Sequence, residues 1–339
     1  MAKDNNKKPT ITDIASHANV SKSTVSRVLN GTTPVHEDKR KAVEVAMKEM
    51  NFEPNVFARG LASGQSLTIG VVTQNIGSPI YDSIAQGVLF SLSKSRYSPV
   101  FADGQWQPDI ETKAVETLMG RKVDGLILIG SCLPRQELDQ LKDTLPVMLV
   151  AEHIEDESWN GHCLYIDNET GGYDATKHLL ELGHRNIAHI TGIKDQQDSI
   201  RRLNGYLRAL AEAGVEVDED LICEGQFDGN SGVMAIETLL LRGKSFSAIF
   251  SSNDMMAFGA RLALYRRGIR VPEDVSIIGF DDRAEAAFTT PPLTTIRQPA
   301  REMGVAAADA LVKLISGQEY EFPALPTEIV VRESTRVRT

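Results

Sequence analysis

Residues 11–64 read ITDIASHANVSKSTVSRVLNGTTPVHEDKRKAVEVAMKEMNFEPNVFARGLASG. Ile11, Ile14, Ala15 and Ala18 keep the three- and four-residue spacing of one buried helix face, and Thr10 ahead of them suits an N-cap. Asn19 follows as a turn residue that tolerates a left-handed backbone, and Val20 re-enters the core. Ser21 caps a second helix in which Val25, Val28 and Leu29 point inward. Two helices joined by so short a turn form a helix-turn-helix, whose second helix fits the major groove of DNA. A third helix is expected over about residues 37 to 50, with Ala42, Val43, Ala46, Met47 and Met50 inward, and Pro54 closes the bundle.

The outer face of the second helix carries Lys22, Ser23, Ser26 and Arg27. Arginine can fork to the O6 and N7 of guanine, lysine reaches base edges or phosphates, and hydroxyls do either. The plain alternative is a three-helix bundle that binds no nucleic acid, and charge weighs against it. Residues 1–62 hold 10 Lys and Arg against 7 Asp and Glu, whereas the rest of the chain holds 26 against 39. A basic head on an acidic body fits a DNA reader whose body avoids phosphate. Beyond Pro54, Asn55 caps the short run VFARGLA, which has Ala58, Leu61 and Ala62 but no partner nearby, and Gly60 weakens it by about 1 kcal/mol. So short a helix is marginal alone, so the segment is a linker or a helix that orders only when held. Ser63 to Ser66 complete the linker.

The 339 residues leave room for one small domain and one or two larger ones, with an apolar content of 42% that is ordinary for a soluble globular chain. The polar start MAKDNNKKPT argues against a signal peptide, and no run of about 18 apolar residues suggests a membrane span. Cys132, Cys163 and Cys223 are scattered, without metal-ligand spacing, so neither zinc nor disulfides are expected and the cytoplasm is the expected compartment.

From Leu67 the texture changes. Short apolar runs (LTIGVVTQ, SPVFAD, DGLILIGS, PVMLVAE, CLYID, NIAHITG, LICEGQF, AIFSSND, VSIIGFDD) alternate with helical stretches. In the first such stretch Ile80, Ile84, Val88, Leu89 and Leu92 share one stripe. This alternation predicts an α/β fold of doubly wound parallel sheets, here in two tandem lobes with a cleft between them. Ligands in such sheets sit at the carboxyl ends of the strands. The cleft is therefore expected to be lined by residues 74–81 with Ile80 and Tyr81, by Asp103 to Trp106, by Ser131 and Glu152, by residues 195–202 with Arg202, and by Phe227, Asn253 and Asp281. Amide, carboxylate and guanidinium groups offer paired hydrogen bonds to vicinal hydroxyls, while Trp106, Phe227 or Phe288 can stack on a sugar or base. The plain alternative is that strand-end Asn and Asp merely cap the following helices, as Asn253 ahead of Asp254 would. No GxSxG elbow, Walker loop, GxGxxG after the first strand or HExxH is present, so no enzyme, metal or cofactor is expected.

Seven motifs in order carry a resemblance over nearly the whole chain: ITDIASHANVSKSTVSRVLNG, EPNVFARGLASG, LGHRNIAHITG, RRLNGY, SNDMMAFGA, VPEDVSIIGFDD and PPLTTIRQP. The sequence resembles the LacI/GalR family of bacterial transcription regulators, nearest in character to its galactose- and glucoside-type repressors. The resemblance implies a small all-α DNA-binding head over 1–62, with a hinge helix at about 55–62. It also implies a periplasmic-binding-protein-like core over 67–339, its first lobe built from about 67–166 and 300–325 and its second from about 167–297 and 327–339. It places Ser21, Thr24, Ser26 and Arg27 at DNA, with Lys22 and Ser23 as the operator-selective pair and Leu61 wedged into the minor groove of a pseudo-palindrome. Thr10, Thr12, Asn30, Asn55 and Ala58 complete the candidate DNA set. Arg202, Phe227, Asn253 and Asp281 are assigned to a small effector, a sugar or glycoside first and a nucleoside or purine second, in a homodimeric repressor.

The chain also departs from the pattern. His36 replaces the usual serine cap, Gly60 is unusual in the hinge, and Ala151-Glu152-His153 stands where many members carry an Asp-Arg or Asn-Arg pair. No leucine heptads follow the last strand, so a tetramer is not expected.

Overall fold

The computed structural model describes residues 9–30, 34–52, 65–152, 154 and 156–338. The head holds α1 (Ile11–His17), α2 (Lys22–Asn30) and α3 (Glu37–Glu49). Thr10 and Asp13 close a capping box on α1, and Asn19 makes the turn with φ of 51°. The Oγ of Ser21 accepts from the backbone N–H of Thr24 at 3.1 Å, which starts α2. Ile14, Ala15, Val25, Val43 and Ala46 form the buried centre, with Val20, Val28, Leu29 and Met47 packed around it. His36 stands at the N-cap of α3 without a side-chain cap bond, and Glu37 and Asp38 are left to favour that helix end.

Two sheets follow. The first is parallel, in the order β2-β1-β3-β4-β5, from β1 (Thr68–Thr73), β2 (Ser98–Asp103), β3 (Gly125–Ile129), β4 (Val147–Val150) and β5 (Cys163–Leu164). α4 (Pro79–Leu92), α5 (Pro108–Gly120) and α6 (Arg135–Thr144) connect these strands. The second has six strands in the order β11-β10-β9-β8-β6-β7. These are β6 (Ile187–Ile190), β7 (Ile222–Cys223), β8 (Ala248–Ser251), β9 (Ser276–Asp281), β10 (Thr294–Arg297) and β11 (Glu328–Val330), which pairs antiparallel with β10. α7 (Asn168–Glu181), α8 (Gln197–Glu212), α9 (Gly229–Leu241) and α10 (Asp254–Arg266) accompany it. After β10 the chain returns to the first sheet as α11 (Ala300–Ile315), which packs on α4, β3 and β4, and then crosses back to β11. β1, β3 and β4 are almost wholly buried, which is why they read as continuous apolar runs.

One apolar cluster joins the lobes. It runs from Ile69, Val71 and Ile84 through Met303 and Leu311 of α11 to Phe250, Phe280 and Ile296 of the second sheet. Leu89 departs from the expected buried stripe. The inner face of α4 is Ile84, Gly87, Val88, Ser91 and Leu92, and Leu89 is 46% exposed. The close approach of α11 turns α4 this way, for a Cβ on Gly87 would lie 2.0 Å from the carbonyl oxygen of Arg301. Among the described residues no helix is long and apolar enough to cross a membrane.

Candidate functional site

In the head, Ser21, Lys22, Ser23 and Arg27 are exposed, while Thr24 and Ser26 are half-buried. The Ser21 hydroxyl hydrogen-bonds those of Ser23 and Thr24, each at 2.8 Å. The first turn of α2 holds no acidic residue, whereas α1 has Asp13 and α3 has Glu37 and Asp38. The positive end of the α2 dipole is thus left uncompensated beside Lys22, a suitable place for a phosphate. A groove here is lined by Thr12, Ser16, Asn19, Ser21, Lys22 and Lys39. Ser16, Asn19 and Lys39 were not among the sequence candidates, and Lys39 joins the others only through the packing of α3. Thr10 spends its hydroxyl on Asp13 Oδ2 at 2.7 Å, so its side chain serves the helix cap. Asn55, Ala58 and Leu61, the hinge segment, and the side chain of Asn30 lie outside the described residues.

Between the sheets lies a cavity of about 370 Å³, at the carboxyl ends of their strands. The first lobe contributes Ile80, Tyr81 and Trp106; the second contributes Asp198, Arg202, Phe227, Asn253 and Asp281. Arg202 is 3% exposed. Its Nε donates to Asn168 Oδ1 at 2.8 Å and its Nη1 to the carbonyl of Ser252 at 2.6 Å. Its Nη2 has Asp198 Oδ2 at 3.9 Å, and the guanidinium lies 3.9 Å from the centre of the Phe280 ring. Its position follows from how α7 and α8 cross. A Cβ on Gly172 would sit 2.4 Å from the carbonyl oxygen of Arg202, so only glycine allows the approach.

Phe227 has φ of 59° and lays its ring over Gly192, where a Cβ would come within 1.9 Å of Cζ. Asn253 caps α10 through Oδ1, which accepts from Met256 N at 2.9 Å, and ties down Phe227 through Nδ2. Asp281 ends β9 with φ of 114° and accepts from Gln298 Nε2 at 2.6 Å. Burial pushes its carboxyl up to about 6, although Arg202 draws it the other way. Burial, then Asp281, holds Asp254 well above the carboxylate range; its oxygens accept from Thr295 Oγ1 at 2.6 Å and Arg283 N at 2.8 Å. Asp198 is also raised by burial.

Three strand-end residues are not brought onto this wall. Asp103 turns back into the first lobe, where Oδ1 accepts from Gln105 N and Oδ2 from Ile76 N, each at 2.9 Å. Glu152 lines a smaller adjoining cavity with Tyr165, Asn168 and Arg201, and burial, then Asp198, pushes it up to about 7. Ser131 donates to Glu111 Oε1 at 2.6 Å instead of facing the cavity. Conversely, Gln298, just after β10, and Met303 of α11 line the cavity, on a stretch that the alternation of runs did not resolve.

The sequence model for "Bacterial regulatory proteins, lacI family" matches residues 10–55, and that for a "Periplasmic binding protein-like domain" matches 176–335. The HTH-type transcriptional regulator AscG of Escherichia coli K12 is 34% identical over 97% of this chain and 98% of its own. A solved complex of the transcriptional regulator CelR with cellobiose shares 35% identity, covers 96% of this chain and 99% of its own, and has a TM-score of 0.72. The lac repressor dimer bound to operator and the anti-inducer ONPF shares 30% identity, covers 97% and 100%, and has a TM-score of 0.86.

Proposed function

The chain belongs to the lacI family of bacterial regulatory proteins and is a DNA-binding transcriptional regulator, and from that premise we propose a dimeric, cytoplasmic repressor that releases or grips a pseudo-palindromic operator according to a sugar or glycoside held between its lobes. The division of labour proposed is a head over 1–62 that reads DNA and a core over 67–339 that binds the effector and pairs the subunits. The candidate DNA set is the exposed face of α2 with the groove beside it.

One observation carries the effector reading. Arg202, Phe227, Asn253 and Asp281 converge on one wall of a single cavity, and Tyr81 and Trp106 of the other lobe face them. Guanidinium and carboxylate supply paired donors and acceptors for neighbouring hydroxyls, and the rings supply the apolar faces a sugar also needs. Relatives solved with cellobiose and with ONPF support a ligand in this class of core. Because the cavity is shared between lobes, a ligand that bridges it favours one lobe arrangement, which is the condition for altering DNA affinity.

Thermal unfolding of the purified protein against sugars, glycosides, sugar phosphates, nucleosides and purines tests this without knowledge of the operator. A ligand at 100 times its Kd stabilises the native state by about 2.7 kcal/mol. A shift with one sugar class, followed by a changed gel shift on the protein's own promoter region, is the expected outcome. A shift with nucleosides or purines alone would overturn the sugar assignment.

A further inference from the structure

Trp106 is held in a conformation that the chain does not adopt cheaply. Gln105 and Trp106 have φ of 54° and 55°, two successive non-glycine residues in the left-handed region. Each such residue is strained and persists only where its surroundings impose it. Here the surroundings are two polar side chains, half-buried Asp103 and buried Gln74. Asp103 accepts from Gln105 N and also from Ile76 N, bracing the loops after β1 and β2 against each other. Gln74, fully buried, accepts from Trp106 N through Oε1 at 3.1 Å. Gly104 leaves the room this needs, since a Cβ there would lie 2.6 Å from that oxygen.

What the brace holds in place is an exposed ring. The indole is 41% exposed, stands 5.7 Å from Tyr81 and lines the mouth of the cavity opposite Phe227. Among the described residues its Nε1 has no acceptor. Trp159, by contrast, is 1% exposed and donates to Asp139 at 2.8 Å, as a structural tryptophan does. The cavity also exceeds what one ring needs. A cavity of roughly 150 Å³ takes up one benzene ring, whereas this one measures about 370 Å³.

We propose that Trp106 is the platform of an outer subsite, and that the effector is a sugar carrying a second ring at its glycosidic oxygen. The inner ring lies between Arg202, Phe227, Asn253 and Asp281, and the second ring lies on the Trp106 indole. This rests on the sugar reading of the same cavity and narrows it from sugars at large to disaccharides and ring-bearing glycosides.

Isothermal titration of the full chain tests it with glucose, galactose, mannose and ribose, and with disaccharides and para-nitrophenyl glycosides built on each. At least one extended ligand should bind about five-fold or more tightly than its own monosaccharide, the gain of one aromatic stack. In Trp106→Ala that ratio should fall to within about two-fold, and Trp106→Phe should restore most of it. Equal affinities within each pair, or a ratio that survives in Trp106→Ala, would overturn the outer subsite while leaving the sugar reading intact. Absence of binding by every sugar would remove that reading and this inference together.

Discussion

The side-chain amide of Asn253 donates to the carbonyl oxygen of Phe227 at 2.9 Å while its Oδ1 accepts from Met256 N, also at 2.9 Å. One residue thus starts α10 and fixes the loop that presents the Phe227 ring. The two duties separate by substitution. Asn253→Asp keeps an oxygen for Met256 N and loses the donor to Phe227. Its stability should stay within about 1 kcal/mol of the parent, since Asp and Asn cap helices about equally, while effector affinity falls several-fold. Asn253→Ala loses both and should cost about 1–2 kcal/mol of stability as well. Melting curves beside titrations decide between them, and an unaltered affinity in Asn253→Asp would show that Phe227 does not depend on this bond.

Arg202 is a buried cation of the cavity wall, and its removal strands acceptors. Arg202→Ala leaves Asn168 Oδ1 and the Ser252 carbonyl without their donor and exposes Asp198 and Asp281 to one another without a cation between them. The expected result is a core less stable by roughly 2–4 kcal/mol and an effector affinity lower by about 30-fold or more. Operator binding should persist, because the head packs around its own core. Arg202→Lys keeps the charge but not the planar fork or the stack on Phe280, so it should rescue stability better than affinity. A full effector response in Arg202→Ala would take this residue out of the site.

The buried acids give the core a pH dependence of known sign. Glu152 is pushed up to about 7 from 4.5 and Asp281 to about 6 from 3.8. The unfolded chain ionises first, so the stability these groups contribute is full below their ordinary values and is lost as pH rises through about 6 to 7. His189, stacked between Tyr206 and Phe250, acts the other way. Burial lowers it to about 4 from 6.5, so its contribution is lost as pH falls through that range. Whole-protein curves therefore mix opposing trends, and a difference isolates one. Glu152→Gln cannot ionise, so it should gain on the parent between pH 5 and pH 8 by on the order of 1–2 kcal/mol after allowance for solvent screening. Melting temperatures of both proteins at the two pH values measure it, and a constant difference would mean that Glu152 ionises normally.

The head was legible because its signals are local. Thr10 and Ser21 are caps within three residues of the N–H groups they satisfy, and Val25 lies on a periodic face. The parallel sheets were legible because buried strands leave unbroken apolar runs. β10, α11 and β11 did not stand out in the alternation of runs for the opposite reason, and only the family resemblance assigned 300–325 to the first lobe. Ala306, Ala307, Ala308 and Ala310 are buried together on α11, so that helix shows no one-sided stripe from which its partner could be read. The strand-end rule found where loops lie but not where side chains turn. Asp103 ends β2 and Glu152 follows β4; one is turned onto backbone N–H groups and the other into a side cavity.

Lys22 and Arg27 are both exposed on α2. The family resemblance makes Lys22 one of the operator-selective pair, whereas its place in the helix favours a phosphate contact, and charge alone does not decide between the two roles. Lys22 stands in the first turn, beside the uncompensated N-terminus and the groove reaching Lys39, where a phosphate would meet several positive groups at once. Arg27 stands in the last turn of α2, beyond that cluster, and its fork matches a guanine edge. For Lys22→Ala the expectation is weaker binding to specific and unrelated DNA alike, with the slope of log affinity against log salt reduced by about 1. Arg27→Ala should instead lose about 1–3 kcal/mol on the operator, with little change on unrelated DNA. Titrations of both variants on operator and random duplexes at several salt concentrations separate the cases. Selective loss of operator binding in Lys22→Ala, with an unchanged salt slope, would move Lys22 from phosphate to base.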